Sequence, residues 1–204
     1  MINNNHLKFL QPTPPFRELM ILLEIEKNSR ISQHILAHRV GLAPSMVNNY
    51  IKGLTERGIV EVKGESHRRL TYSLTSKGLD QRALLLSSYM IETIKLYKNA
   101  KAEFKVRLNK FIEEGLERVI FYGAGETAEV VFPVAEELGF NVVAVVDNDP
   151  QKQGQEFAGR IILAPSHIER IRPDGVIITS MGYHHQIYES IKRLEEQGIK
   201  VRKL

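Results

Sequence analysis

The sequence predicts two domains of mixed α/β and α+β class. The first is small and helical with a two-stranded hairpin, the second is an open parallel sheet, and a long helix connects them. Three observations predict this architecture. First, residues 42–78 have the pattern of a helix, a strand, a basic turn, a second strand and the start of another helix. Residues 79–115 carry a helical apolar stripe. Residues 118–159 place a glycine-rich turn between a strand and a helix.

Composition favours a folded protein without disulfides or membrane spans. The 204 residues are 43% hydrophobic, enough for one or two packed cores, and include no Cys. Disulfides, thiol nucleophiles and cysteine-ligated metals are therefore excluded. No apolar run is long enough to span a bilayer. Residues 1–13 lack the pattern of a secretory signal, and their polar character predicts a flexible tail. We expect a cytoplasmic protein.

The net charge of +4 is concentrated at the N-terminal end. Residues 1–78 hold 11 Lys and Arg against 6 Asp and Glu, residues 79–115 hold 7 against 5, and residues 116–204 hold 10 against 13. A basic region of this kind is typical of a segment that contacts a polyanion. The alternative is a modest surface bias that has no partner.

The N-terminal domain is expected to begin near residue 14 with two helices. Pro14 suits the first turn of a helix, where a missing N–H is tolerated, and apolar residues continue to Ile25. Ser32 is a good N-cap for a short second helix, which Gly41 ends. Gly41 also supplies the tight turn of a helix-turn-helix.

The third helix is the expected recognition helix, from Pro44 to the stop at Gly58. Apolar residues at helical spacing predict its buried face, namely Val47, Ile51 and Leu54. Polar side chains that can bond base edges or phosphates are left for the outer face, namely Ser45, Asn48, Asn49 and Lys52. Taken alone, these side chains could equally well be a solvated helix face.

The hairpin that follows strengthens the DNA-binding interpretation. Two short alternating strands flank the turn 64–69, which contains Arg68 and Arg69. A basic hairpin tip beside a recognition helix suits phosphate contact or minor-groove insertion. We therefore predict that Arg68 and Arg69 contact DNA.

The phrases LTERGIVEV and RRLTYSLTSKG make residues 14–78 similar to the winged helix domains of the multiple-antibiotic-resistance regulators. The resemblance implies binding of double-stranded DNA, usually as a dimer, through the recognition helix and through the wing, which is the basic hairpin that contains Arg68 and Arg69. The chain departs from the family at Ala43, where such helices often carry a capping Ser.

Residues 79–115 contain no Pro and no internal Gly before Gly115, and their apolar residues recur every three or four positions. A helix of this length would be about 50 Å long, too long to bury its stripe against so small a domain. Two arrangements remain open, a helix that pairs in a homodimer and a broken helical hairpin. Pairing would space two recognition helices for a symmetric operator.

The C-terminal domain begins with a strand, a G-x-G-x-x-A turn and a helix. The glycines let the backbone approach a phosphate, and the helix N-terminus favours an anion there. Residues expected to line the phosphate are Gly123, Ala124, Gly125, Glu126 and Thr127. The next strand ends at Asp147, which is placed to accept hydrogen bonds from a ribose. Alternating strands and helices to the C-terminus predict four or five parallel strands.

The segment DNDPQKQGQEFAGRIIL makes residues 117–204 resemble the Rossmann-like domains of nucleotide-sugar-modifying proteins and the related CoA-binding-type domains. That resemblance implies a nucleotide, nucleotide-sugar or dinucleotide ligand. It places Asp147 and Asn148 at the ribose or base, while Ser180 and Gly182 complete the crevice after a later strand. No Lys or Arg stands in the glycine turn itself.

Together the two domains predict a transcription regulator that senses a nucleotide-type ligand, with NAD(H) or a nucleotide sugar as candidate effector. A dehydrogenase would need a second nucleotide-binding half or a substrate domain, so no catalytic residue is assigned. Tyr183, His184 and His185 are better explained as a solvated helix start than as a catalytic or metal site. Two alternatives remain: an α/β domain that only mediates assembly, and an enzyme acting on a nucleotide sugar.

Overall fold

The computed structural model describes residues 11–64 and 70–204. They form two compact units that divide between Lys95 and Leu96, inside one helix. No helix within the described ranges is both long enough and apolar enough to cross a membrane.

Three helices build the N-terminal unit: α1 (Pro14–Lys27), α2 (Gln33–Val40) and α3 (Pro44–Glu56). The predicted starts of α1 and α2 are confirmed by their caps. Thr13 Oγ1 accepts a hydrogen bond from the Phe16 amide at 3.4 Å, and Ser32 Oγ accepts one from the Ile35 amide at 3.2 Å. Gly41 ends α2 with φ of 67°, a left-handed conformation that favours glycine. The core of this unit gathers one face of each helix.

Strands β1 (Val60–Lys63) and β2 (Thr71–Leu74) pair antiparallel, with Val60 opposite Leu74. Tyr72 is buried and joins the helices' core. The two strands are therefore the predicted hairpin. Its tip, with Arg68 and Arg69, falls in residues 65–69, outside the described residues, as do residues 1–10 of the tail expected over residues 1–13.

One continuous helix, α4 (Ser76–Glu113), follows, so the broken hairpin is not formed. It begins three residues before the predicted start, directly after β2. Thr75 alone separates the two elements, and its Oγ1 donates to the Gly58 carbonyl at 2.7 Å. Gly78 lies on the Ile59 carbonyl oxygen, which an added Cβ would approach to 2.1 Å. The start of α4 is therefore tightly fitted to β1.

The C-terminal unit comprises the second part of α4, a six-stranded sheet and, in the described range, three further α-helices, and Leu108 and Phe111 of α4 are buried in its core. Its strands are β3 (Arg118–Tyr122), β4 (Asn141–Val146), β5 (Glu156–Phe157), β6 (Arg160–Leu163), β7 (Gly175–Ile178) and β8 (Lys200–Lys203). Its three further helices are α5 (Glu126–Glu137), α6 (Ile168–Ile171) and α7 (His184–Ile191), with short 3₁₀ segments at Pro165–His167 and Lys192–Gln197.

The strand order is β5-β6-β4-β3-β7-β8. The pairs β6–β4, β4–β3, β3–β7 and β7–β8 are parallel, which confirms the predicted parallel sheet. The two-residue strand β5 pairs antiparallel with β6 and was not predicted. Tyr122 is paired with Val146 on one side and Ile178 on the other. The carboxyl ends of β3, β4 and β7 therefore meet at one edge of the sheet.

Candidate functional site

The outer face of α3 is the candidate nucleic-acid interface. Val47, Ile51 and Leu54 are buried, as predicted. The four polar residues predicted for DNA contact are all exposed, namely Ser45, Asn48, Asn49 and Lys52. At 3.6 residues per turn, these four fall on one side of the helix, opposite the buried residues. The structure thus brings them together on a single face.

The beginning of α3 has no side-chain cap among the described residues. Ala43 stands at the N-cap with extended backbone angles, and the first turn closes only through the Ala43 carbonyl, which accepts from the Met46 and Val47 amides. Because Pro44 has no N–H, the Ser45 amide and the positive end of the helix dipole are left for an acceptor outside the unit, such as a phosphate.

A surface depression flanks this face between α1 and α3, with a volume of about 370 Å³. Met46, Asn49 and Tyr50 line it, and an ion pair between Arg57 Nη2 and Glu18 Oε2, 2.6 Å long, lies at its edge. Asn49 therefore borders the depression as well as the outer face.

The charges along the outer face are mixed. Lys52 Nζ lies 3.9 Å from Glu56 Oε1, and both side chains are largely exposed. In β1, Lys63 Nζ lies 3.1 Å from Glu61 Oε2. Exposed pairs of this kind contribute little to stability. Each nevertheless places a carboxylate beside a cation that could contact DNA.

A buried carboxylate ties α1 to α2 and was missed in the sequence. Glu24 is fully buried, and its carboxylate accepts from Arg39 Nη1 at 2.8 Å and from Lys27 Nζ at 3.3 Å. Burial by itself raises the pKa of Glu24, but the two hydrogen bonds and positive charges outweigh it and lower the pKa below its ordinary value. The signal was a charged residue on the apolar side of α1, next to Ile25.

The second candidate site lies at the carboxyl edge of the C-terminal sheet. Gly123 has φ of 113°, and a Cβ added there would lie 2.9 Å from Ser180 Cβ and 3.0 Å from the Ser180 amide. Thr179 is buried, and its Oγ1 donates to the carbonyls of Gly123 at 2.7 Å and Tyr122 at 3.0 Å. The glycine turn and the end of β7 are therefore in direct contact, and Gly123 is required for that contact.

Gly125 differs from Gly123, although both belong to the G-x-G motif. It is the N-cap of α5, its φ of −126° and ψ of −175° are extended, and a Cβ there would meet no atom within 4 Å. Glu126 and Thr127 open the helix, and Glu126 is exposed. Gly125 thus faces open space, as a phosphate-approaching glycine would.

Asp147 bonds to the glycine turn itself. Its Oδ2 accepts from the Ala124 amide at 2.8 Å, and its Oδ1 accepts from the Asp149 amide at 2.9 Å. Burial alone raises the pKa of Asp147, but these two N–H donors and the charge of Lys152 bring it below its ordinary value. Asp147 is therefore a carboxylate that braces the turn, and only its remaining lone pairs are left for a ribose.

Lys152 supplies the cation that the glycine turn lacks in sequence. Its Nζ donates to the Ala124 carbonyl at 3.0 Å and lies 3.3 Å from Asp147 Oδ2. Lys152 follows Ala124 by 28 residues in the sequence, and the bend after β4 brings it to the turn. The only sequence signal was its place in the DNDPQKQG segment.

Two other predicted residues are placed as follows. Asn148 accepts a hydrogen bond from the Tyr122 hydroxyl at 2.7 Å, and burial raises the pKa of Tyr122. Gly182 lies in the turn after Ser180, and a Cβ there would meet no atom within 4 Å. Asn148 and Gly182 are thus at the same edge as the glycine turn.

The His pair predicted to be a solvated helix start lies at the beginning of α7. The rings of His184 and His185 are 4.3 Å apart, and His184 Nδ1 contacts the Met181 carbonyl. Lys203 Nζ lies 3.3 Å from His185 Nδ1. Within the described ranges, no group of His, Asp and Glu is arranged to hold a metal ion.

Two families match separate parts of the sequence. The winged helix-turn-helix DNA-binding family matches residues 17–61. The family described as C2185-like, N-terminal, matches residues 115–203. No curated protein matches the chain. The N-terminal unit therefore contains a winged helix-turn-helix DNA-binding domain, as predicted, whereas the Rossmann-like assignment of the C-terminal unit stays a prediction.

Solved structures also resemble parts of the chain. MepR, a transcription regulator of a Staphylococcus aureus multidrug efflux pump, is 15% identical with a TM-score of 0.36, covering 48% of this chain and 77% of its own. The PcaV transcriptional regulator from Streptomyces coelicolor is 20% identical with a TM-score of 0.39, covering 50% and 72%. UDP-D-quinovosamine 4-dehydrogenase from Vibrio fischeri is 21% identical with a TM-score of 0.36, covering 44% and 78%. At these scores the likenesses carry no functional argument.

Proposed function

We propose that this chain is a DNA-binding transcription regulator whose C-terminal, Rossmann-like domain senses a nucleotide-type ligand. The domains would be a winged helix over residues 14–78, a dimerising helix over 79–115 and a ligand-binding domain over 116–204. The winged helix-turn-helix match at residues 17–61 carries the DNA-binding part, and the uniformly polar outer face of α3 supports it.

DNA would be contacted from the outer face of α3 and from the wing. Asn48 and Asn49 carry amides that can bond adenine edges, and Lys52 suits phosphate. Arg68 and Arg69 would contact phosphate or the minor groove. A homodimer paired through α4 would present two such faces to a symmetric operator.

DNA binding is tested by fluorescence anisotropy with operator fragments selected from genomic DNA by the full-length protein. Asn48→Ala should weaken specific binding by about 1–3 kcal/mol, because a base contact is lost. Asn109→Ala is the matched control, since Asn109 is an exposed Asn on α4. Arg68→Ala with Arg69→Ala should weaken binding to all sequences and make the salt dependence shallower by about two. Absence of DNA binding at low salt would refute the regulator.

A ligand of the nucleotide type fits the edge of the sheet around Gly125. Gly125 faces open space at the N-terminus of α5, and Lys152 adds a cation beside the turn. NAD(H), a nucleotide sugar or a CoA-like molecule would place its phosphates there. Ser180 and Gly182 would line the other side of the crevice. A bound ligand acts on DNA binding only if it prefers one arrangement of the dimer.

A specific observation favours a second candidate, a C-terminal domain that only mediates assembly. Asp147 already occupies the Ala124 amide, and Glu126 brings a second carboxylate to the N-terminus of α5. Both reduce the attraction for a phosphate. This candidate keeps the DNA-binding function and removes the sensing.

A thermal-shift panel of NAD(H), nucleotide sugars and CoA at millimolar concentration separates the two candidates. A sensor should melt at a higher temperature with at least one of them. The Gly125→Ala variant should lose that shift while its melting temperature without ligand stays near the native value, because a Cβ at this position meets no atom within 4 Å. No shift with any compound favours assembly only, and turnover of a nucleotide sugar would support an enzyme.

A further inference from the structure

Helix α4 carries most of the large apolar side chains that the described chain leaves exposed. Nine of the fourteen exposed large apolar residues lie on this one helix: Leu79, Leu84, Met90, Ile91, Ile94, Leu96, Tyr97, Val106 and Ile112. All residues from 91 to 100 are exposed. Folded proteins seldom leave so many large apolar side chains of one helix uncovered, so an interaction partner is indicated.

The N-terminal unit uses only one side of α4. Gln81 Nε2 donates to Glu18, Leu85 packs against the core, and the ring of Tyr89 lies 5.4 Å from that of Phe16. At 3.6 residues per turn, Gln81, Leu85 and Tyr89 lie on the side opposite Ile94. The Ile94 face is therefore left free by the packing of this unit.

Ile94 has an exposed large apolar residue on each side of it along this face. Ile91 precedes Ile94 by three positions and Tyr97 follows it by three, and Ser87 and Lys101 precede and follow it by seven. These residues share the Ile94 face. Two antiparallel copies that cross at Ile94 would place each Ile91 opposite the partner's Tyr97.

Charge selects the same orientation. Residues 76–92 contain two basic and two acidic side chains, whereas residues 93–113 contain six basic and two acidic ones. One of the six, Lys105, is paired with Glu137 at 2.5 Å, which leaves an excess of three. Parallel copies would set the basic halves side by side, whereas antiparallel copies set each basic half against a neutral one.

We propose that a second copy of this chain covers the Ile94 face and that the two α4 helices run antiparallel, crossing near Ile94. This inference rests on the self-association in the proposed function and adds its surface and orientation. The Ile94 face is open to a partner from Leu79 to Lys101, about 33 Å at 1.5 Å per residue, because Leu108, farther along the same face, is buried in the C-terminal core.

Because the chain has no Cys, single Cys substitutions report the orientation directly. Ser87→Cys and Lys101→Cys proteins would be mixed in full-length form and oxidised. Antiparallel copies should give the mixed disulfide between the two variants, since residue 87 then lies beside the partner's residue 101. Like residues would be about 21 Å apart, beyond the roughly 7 Å that a disulfide spans.

Each outcome has a separate meaning. Disulfides between like variants would overturn the antiparallel orientation and leave the dimer in place. A wild-type protein that sediments as a monomer at about 50 µM would overturn both the dimer and the inference.

A matched pair of substitutions tests the surface itself. Ile94→Gln should raise the dimer dissociation constant at least tenfold. Leu96→Gln should change it less than about threefold, because Leu96 is nearly as exposed (49% against 51%) but lies on the opposite side of the helix. Equal effects of the two substitutions would overturn the assignment of the Ile94 face.

Discussion

The two glycines of the G-x-G turn should respond very differently to the same substitution. In Gly123→Ala, the new residue must adopt a φ of 113°, which costs a non-glycine residue about 1–3 kcal/mol. Its Cβ would also lie 2.9 Å from Ser180 Cβ, closer than van der Waals contact allows, and overpacking costs a further 1–3 kcal/mol. We expect a total near 3 kcal/mol, lost from the C-terminal unit.

In Gly125→Ala, neither cost applies. The backbone is extended and a Cβ would meet no atom within 4 Å. Alanine is a poorer N-cap than glycine, but it also restricts the unfolded chain, and the two effects are of similar size. The free energy of unfolding should therefore stay within about 0.5 kcal/mol of the native value.

Hydrogen exchange with mass spectrometry measures both variants in the full-length protein, and peptides from each unit can be followed separately. A loss of 3 kcal/mol should speed exchange in β3 and β7 about 150-fold. Peptides from α1 to α3 serve as the internal reference, because they belong to the other unit. Equal exchange rates in the two variants would refute the assignment of Gly123 as the structural glycine and Gly125 as the open one.

The remaining predictions concern three ion pairs. Glu24→Gln should lower the stability of the N-terminal unit by about 1–2 kcal/mol at neutral pH. Because folding lowers the pKa of Glu24, the stabilisation by its carboxylate is present above the unfolded pKa and is lost as the pH falls below 4.5. Urea titrations of the variant and of the native protein should therefore converge in acid, and a constant gap in their free energies of unfolding would contradict this. Lys152→Met and Asp147→Asn should each cost about 1 kcal/mol in chemical denaturation, and the double variant less than their sum, whereas strict additivity would show that the pair is not coupled. Lys52→Ala should reduce the salt slope of DNA binding by about one, and Glu56→Gln should tighten binding by removing a carboxylate from the same face; unchanged binding in both would count against α3 as the DNA contact.

Sequence patterns predicted the elements whose structure depends on residues close together in the chain. The spacing of Val47, Ile51 and Leu54 determined the buried side of α3 and therefore its polar side. Ser32 and Gly41 marked the ends of α2 because capping and left-handed turns depend on local chemistry. For the same reason, the strand, turn and helix around Gly123 were located to within a residue or two.

Long-range pairing was not predictable in this way. Lys152 reaches the glycine turn across 28 residues, and Glu24 finds Arg39 across 15, and neither spacing follows from periodicity. A two-residue strand such as β5 is too short to show an alternating pattern. Likewise, Asp147 Oδ2 accepts from the Ala124 amide, which only the fold brings near.

The junction at Thr75 determines how a movement of α4 reaches the DNA-binding hairpin. The Thr75 amide donates to the Ile59 carbonyl at 3.1 Å, its hydroxyl holds the Gly58 carbonyl, and Gly78 rests on the Ile59 oxygen. Thr75 is the one residue between β2 and α4, and these hydrogen bonds hold it in place. We therefore expect β1, β2 and the first turns of α4 to rotate together when this end of α4 turns.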